Sequence, residues 1–494
     1  MSRSPPIACL ALCISLLAAA CSTVPAPRAR PIPAQARADA GLYIVVTLRN
    51  EPRAQAEHPG STPRGYDAAG HYGVTGEAGL QVRALEHEYG LREISAWPIA
   101  TLHLHCIMFQ LPGATTRQAM IARLATDRRV ESVQPLNEFT TESDPESLRG
   151  AADIEPVRVP YNDPYARLQV SLRELAVVNA QRRSRGTGVR IAVIDTGVDF
   201  AHPDLAGRVS ARRNFVDGDE LKFRHDTHGT EVSGVIAAVA NNGIGIVGIA
   251  PDARIIALKA CWQTAPGGAA VCNSFTLAQA LEAAIVAHAD IVNMSLAGPA
   301  DPLLTRLVER GAMQGMIFVA AAGRAGSGRG FPADLDEVLA VDAAEAASGN
   351  PRHLLAPGRD VLTLVPGGHY DFASGSSLAA AQVSGIVALM LAERPHLSAS
   401  VVRSLLQHSS RRVPSPAGEI LTVDACAALS DAPGHTACGP DVRAAAKRRP
   451  RQRSSHPAGV ACGVIQARRD TRLSDPHPDM LACGGRRARR PASR

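Results

Sequence analysis

Three residues have types and surroundings that could do chemistry together: Asp195, His228 and Ser377. The apolar run Ile191–Ile194 leads into Asp195-Thr196-Gly197, and a carboxylate at a strand end followed by a glycine turn is placed to orient a histidine. His228 lies in Thr227-His228-Gly229-Thr230, ahead of the Ala-rich helical stretch 231–240. Ser377 lies in Gly375-Ser376-Ser377-Leu378-Ala379, where small residues at a helix start let a hydroxyl and backbone N–H groups approach a carbonyl. Such a set suits acyl transfer: serine attacks, histidine takes and returns its proton, and aspartate holds the imidazole tautomer. Each run alone is weak. An aspartate-dyad mechanism would need a second Asp-Thr/Ser-Gly turn, which is absent, and a nucleophile elbow would need glycine where Ala379 stands.

The elements that must position these residues form two folded parts. Between Leu168 and about Leu429, short apolar runs alternate with Ala-rich helical stretches. The runs are Arg190–Ile194, Ile255–Ala260, Ile291–Met294, Met316–Ala321 and Val338–Val341, with helices over Thr276–His288 and Asp301–Gly315. This pattern predicts an α/β fold with a mainly parallel sheet covered on both faces, whose chemistry gathers at strand carboxyl ends. Residues 41–141 read as strand (Leu42–Leu48), helix (Leu80–Tyr89), two alternating runs (Ile94–Leu104 and Cys106–Leu111), helix (Thr116–Ala125) and strand (Val130–Gln134). That order is ferredoxin-like α+β. The divisions are 1–21 as an export signal, 22–40 as a Pro/Ala linker, 41–141, a polar linker 142–165, the α/β part 166–431, and a basic, disordered tail 432–494.

At 494 residues, 46% apolar and 20% charged, the chain is long enough for two or three folded units with ordinary cores. From Asp441 onward it has 14 Lys/Arg against 4 Asp/Glu, a net of +10, so the chain's +6 leaves −4 for the preceding residues. The tail lacks interleaved aromatics, which argues against specific nucleic-acid binding; a salt-dependent hold on anionic surfaces is its alternative to a solvated end. Arg3, the apolar stretch Ile7–Ala20 and the run Leu17-Ala18-Ala19-Ala20-Cys21 resemble a bacterial lipoprotein signal, with Cys21 lipidated as a membrane tether; the alternative is an ordinary cleaved signal in which Cys21 is incidental. The chain is then exported to the cell envelope, or secreted after processing. Of ten cysteines, Cys261 and Cys272, and Cys426 and Cys438, are close enough in sequence to pair, as an exported protein allows.

Residues 168–392 resemble the subtilisin-like serine peptidases, the S8 subtilases. Besides the three motifs, the resemblance rests on Val198-Asp199, His202-Pro203-Asp204-Leu205, Asn241-Asn242-Gly243-Ile244-Gly245, Gly248-Ile249-Ala250-Pro251, Asp290–Leu296, Phe331-Pro332-Ala333 and Leu355-Ala356-Pro357-Gly358. It implies a three-layer α/β/α fold, protein or peptide substrates, and no required cofactor. It further implies a triad of Asp195, His228 and Ser377, with Ser295, Leu296, Ala297 and Gly298 lining the substrate. Residues 41–141 resemble the family's pro-segment, an intramolecular inhibitor that is cut off, with the maturation site in 142–165.

The sequence departs from the family at several points. Arg324 stands where the family has an asparagine that donates to the oxyanion. Three readings follow: Arg324 donates instead, or it lies in solvent and the enzyme is slow, or the chain is an inactive binding protein of the same fold. A guanidinium beside the site would also lower the His228 pKa. Glu231 replaces a second histidine, Ala381 a proline, Ser376 a threonine and Ala297 a glycine. Asp204 and Asn242 match positions that resemble a family calcium site, which gives a structural calcium ion as one reading and ordinary turn residues as the other.

Overall fold

The computed structural model describes residues 31–51, 73–113, 115–143, 158–264, 269–323, 328, 330–415 and 418–430. All lie in the first of two compact units, Met1–Pro440. The signal with Cys21, most of the linker 142–165 and the basic tail lie outside the described residues.

Helix α1 (Ala34–Ala38) and a 3-10 turn (Ala40–Leu42) precede β1 (Tyr43–Arg49). Then come α2 (Gly76–Tyr89), β2 (Arg92–Ile99), β3 (Leu104–Gln110), α3 (Arg117–Leu124), β4 (Val130–Pro135) and β5 (Glu138–Thr141). Thr75 and Thr116 cap α2 and α3 by accepting from Ala78 N–H and Ala119 N–H, which satisfies donors a helix start leaves open. Strands β1 to β4 form an antiparallel sheet ordered β2-β3-β1-β4. Ile44, Val46 and Leu48 pack with Val82, Leu85, Met120 and Leu124 of the two helices. Tyr43 and Val45 point the other way, into a cluster shared with the α/β part, so β1 reads as continuously apolar.

Two stretches differ from expectation. The run Ile94–Leu104 is not one strand: it stops at Ile99, turns through Ala100–Leu102, and restarts at Leu104 after His103 adopts a left-handed φ of 54°. The linker 22–40 is structured where it is described, because its alanines form α1 and bury Ala36 and Ala40.

The α/β part holds α4 (Val170–Glu174), α5 (Val177–Ala180), β6 (Arg190–Asp195), β7 (Val209–Asn214), α6 (Glu220–His225), α7 (Thr227–Ala237), β8 (Arg254–Lys259), β9 (Cys261–Gln263), β10 (Ala270–Asn273) and α8 (Ser274–Val286). It continues with β11 (Ile291–Met294), β12 (Leu296–Ala297), α9 (Pro302–Met313), β13 (Ile317–Ala321), β14 (Val338–Ala343), β15 (Leu354–Ala356), the hairpin β16 (Val361–Val365) and β17 (His369–Ala373), and α10 (Ser376–Glu393). The central sheet is seven-stranded and parallel, ordered β15-β14-β13-β11-β6-β8-β7. Alternate strand residues feed two cores, as strand geometry requires. Ile191, Val193, Ile317 and Val319 pack with α7 and α10, and Ala192, Ile194, Phe318 and Ala320 pack with α8 and α9. The result is a three-layer α/β/α sandwich. Helix α10 is apolar enough to cross a membrane, but it is the buried core helix of one layer.

Candidate active site

Asp195 ends β6 at the carboxyl edge of the sheet and is fully buried. Its Oδ1 accepts from Thr196 N–H at 2.6 Å and from His228 Nδ1–H at 2.7 Å. His228 sits inside the first turn of α7, not ahead of it, because Asp226 takes the N-cap position. The aspartate turn and the helix start are stitched together. Gly229 N–H donates to Thr196 Oγ1 at 2.9 Å, Gly197 N–H to Asp226 Oδ2 at 2.7 Å, and Asp199 N–H to Thr230 Oγ1 at 2.9 Å. The buried Lys259 ammonium pairs with Asp226, which compensates a charge that would otherwise be costly to bury.

Burial of the imidazole opposes its charging. The Asp195 carboxylate, through charge and hydrogen bond, together with the Glu231 charge, outweighs burial and raises the His228 pKa above the ordinary imidazole value. The lowering expected from a neighbouring guanidinium is a separate matter, set by where Arg324 lies. Arg324 itself lies outside the described residues.

Ser377 is the second residue of α10, which packs against α7. Its Oγ donates to the Ser295 carbonyl at 3.0 Å, and its own carbonyl accepts from Ser295 Oγ at 3.1 Å. Ser384 Oγ–H donates to Asn293 Oδ1 at 2.8 Å and Asn293 Nδ2 to Ser295 Oγ at 3.0 Å, so a buried relay fixes the ground beneath the serine. Asp195 and His228 are thus joined directly, while the Ser377 hydroxyl is turned toward Ser295.

The backbone N–H of Ser377 donates at 3.2 Å to the carbonyl of Glu142, and Glu142 N–H donates to the Ser295 carbonyl at 3.3 Å. A helix N-terminus places its free N–H groups and partial positive charge at that carbonyl oxygen. Gly375 has φ 137°, and a Cβ there would lie 2.3 Å from the Glu142 oxygen and 2.9 Å from Ser143 Cα, so only glycine lets the peptide approach. Strand β5, just upstream, is sandwiched in an antiparallel sheet ordered β12-β5-β10-β9. Leu296 and Ala297 pair with Thr141 and Thr140 on one side; Val271, Cys272 and Asn273 pair with Thr140, Phe139 and Glu138 on the other. Of the four expected lining residues, Ser295, Leu296 and Ala297 therefore meet the strand. Gly298 instead bonds Phe331, at 2.9 and 3.1 Å, and leaves room for Phe139, whose Cδ1 would be 2.0 Å from an added Cβ. The Phe139 and Phe331 ring centroids are 5.8 Å apart.

The upstream segment also rests on α8 and on the start of α9. Ser274 and Asn137 exchange hydrogen bonds at 3.0 Å, Leu303 N–H donates to Gln134 Oε1 at 3.1 Å, and Thr101 N–H donates to Glu282 Oε1 at 3.2 Å. Cys261 and Cys272 are direct cross-strand partners in β9 and β10 and form a disulfide. Cys426 is also disulfide-bonded; Cys438, its expected partner, lies outside the described residues.

Asp204 Oδ1 accepts from Asn242 Nδ2 at 2.7 Å and Oδ2 from Ile246 N–H at 2.9 Å, and the Tyr370 hydroxyl also bonds this carboxylate. Asn242 Oδ1 in turn accepts from Ile244 N–H at 3.0 Å. A calcium ion asks for oxygens turned toward it; here the pair clamps the 241–246 loop through donors. Among the described residues no group of three or more His, Cys, Asp or Glu is gathered to hold a metal ion.

Residues 186–447, more than half of the chain, match the subtilase family. An intracellular serine protease of Paenibacillus polymyxa is 37% identical over 227 residues, which cover 42% of this chain and 68% of that one. A subtilisin of Bacillus pumilus is 34% identical over 240 residues, 46% of this chain and 84% of that one. Among solved structures, fervidolysin from Fervidobacterium pennivorans, described as a keratinolytic enzyme related to subtilisin, aligns with a TM-score of 0.60 at 22% identity. That alignment covers 79% of this chain and 61% of fervidolysin, and it speaks to fold. The family match and the similarity to subtilisin together establish that this chain belongs to the subtilase family of serine peptidases.

Proposed function

We propose that the chain is a serine endopeptidase acting through Ser377, His228 and Asp195, made as a precursor whose first substrate is its own Glu142–Ser143 bond. The observation that carries this reading is the Glu142 carbonyl held by Ser377 N–H, at the end of a strand paired on both edges inside the cleft. The Ser377 hydroxyl turns from Ser295 and its Oγ attacks the Glu142 carbonyl carbon while His228 Nε2 takes the hydroxyl proton. The oxyanion that forms is held by Ser377 N–H at the α10 N-terminus. The C–N bond then breaks, the Ser143 amine leaves with the proton from His228, and residue 142 remains as an ester on Ser377. Water, deprotonated by His228, hydrolyses that ester and frees the Glu142 carboxylate.

Residues 41–142 then act as the intramolecular inhibitor, a product strand still lying in the cleft. Substrates of the mature enzyme are proteins or peptides that enter as an extended strand between β12 and β10, with an aromatic residue three positions before the cut residue filling the Phe139 place. The reading of residues 1–21 as an export signal ending at Cys21 belongs to the same proposal; the Cys261–Cys272 disulfide supports it, since disulfides persist in oxidising compartments. Treatment with a serine-directed phosphonate tests the chemistry: stoichiometric labelling of Ser377 is expected. A folded, processed chain that takes up no label would refute it.

A further inference from the structure

Residues 31–40 lie upstream of the pro-segment sheet and outside its ladder, yet they are attached to the α/β part. Ile32 N–H donates to the Val216 carbonyl at 2.9 Å. Ile32 is 2% exposed and Ala36 1%, and both join the buried apolar cluster that contains Phe215 and Leu258. The Arg37 guanidinium lies 3.5 Å from the Asp217 carboxylate, which is fixed in place by Asn214 Nδ2 at 3.0 Å and Asp219 N–H at 3.1 Å. Val216 and Asp217 follow β7, the edge strand of the parallel sheet, and neither takes part in the four-stranded sheet that holds β5. A Pro/Ala-rich stretch that served only as a spacer would have no reason to bury an isoleucine or present an arginine to a fixed carboxylate.

We propose that residues 31–40 are a strap that docks on Val216–Asp217 and retains the pro-segment on the peptidase after the Glu142–Ser143 bond is cut. The proposal rests on the processing reading above. Cutting leaves two fragments joined at the cleft, at the contacts with α8 and α9, and at the separate strap seat. Release at the cleft leaves the strap in place, so the detached strand rebinds at a high effective concentration. The upstream segment carrying Cys21 stays with this complex, which gives a lipid anchor there a non-covalent hold on the enzyme.

The test uses the chain from residue 22 carrying Ser377→Ala, with a recognition site for an added sequence-specific protease placed within 144–157. After folding and cutting, the two fragments are followed by size-exclusion chromatography and by dissociation from a support that holds the larger one. The parent strap is expected to keep a one-to-one complex, and Ile32→Asp with Arg37→Glu to speed release by about 10–100-fold, the effect of losing one fully buried aliphatic side chain. Hydrogen exchange of the cut parent supplies a readout that needs no strap variant: the Ile32 amide should be protected. Equal release rates, or an Ile32 amide that exchanges freely in the cut complex, would overturn the strap. Because the cut is made by another enzyme in a chain without Ser377, this result stands apart from whether the chain processes itself.

Discussion

Phe139→Ala gives a sharp test of the proposal that residues 41–142 act as a pro-segment that closes the cleft. Phe139 is fully buried, its backbone pairs with Cys272, and its ring packs beside Phe331 over the space left by Gly298. Burying such a side chain contributes about 1.5–3 kcal/mol, and the ring pair adds about 0.5–1.5 kcal/mol. Truncation should therefore weaken the cut pro-segment by about 2–4 kcal/mol, or about 30- to 1000-fold in Kd. The backbone ladder and the Glu142–Ser377 contact remain, so the variant should still cut itself. The assay is the rise of activity toward a fluorogenic peptide after dilution of freshly processed protein. The variant should reach full activity at dilutions where the parent stays inhibited. If both emerge from inhibition along the same curve, β5 is not what holds the cleft shut, and the reasoning fails.

Glu231→Gln removes a charge that helps raise the His228 pKa, so the acid limb of kcat/KM should move to lower pH. The sign follows from the base role: activity needs neutral His228 and is lost as pH falls through its raised pKa, and an unmoved limb would contradict the assignment. Lys259→Met leaves the buried Asp226 carboxyl without its cation, so denaturant melts should show a loss of about 3–5 kcal/mol, with partial recovery on adding Asp226→Asn. Cys272→Ser opens a loop whose ends are 11 residues apart, worth about 3 kcal/mol in the unfolded chain. Because β10 is one wall of the cleft, KM should rise most for peptides long enough to reach the Phe139 place; an equal effect on shorter peptides would count against that wall.

Asp195 and His228 stood out in sequence because each lies within a few residues of its own structural cause: a strand end, a glycine turn, a helix start. The central sheet was legible for a related reason. Strands buried on both faces, such as Ile191–Ile194 and Ile317–Ala321, need continuous apolar runs. The relay Ser384–Asn293–Ser295–Ser377 was not legible, since it joins polar residues up to 91 positions apart that look unremarkable singly. Lys259 reads as the polar end of a strand until Asp226 is found beside it. Strand β5 is four residues long, and its pairing depends wholly on two distant edges, so nothing local marks Glu142 as the residue held by Ser377. The strap was hidden by composition. A Pro/Ala stretch with one isoleucine reads as a tether, and only the Val216 carbonyl and the Asp217 carboxylate give it a seat.

The most direct test of the account is the new N-terminus. Residues 22–494 and the same chain with Ser377→Ala would be folded side by side and the products identified by intact mass and N-terminal sequencing. The account predicts a fragment beginning at Ser143 from the parent and an uncut chain from the variant. A parent that folds and stays intact, a cut at another bond, or the same cut in both chains would contradict it.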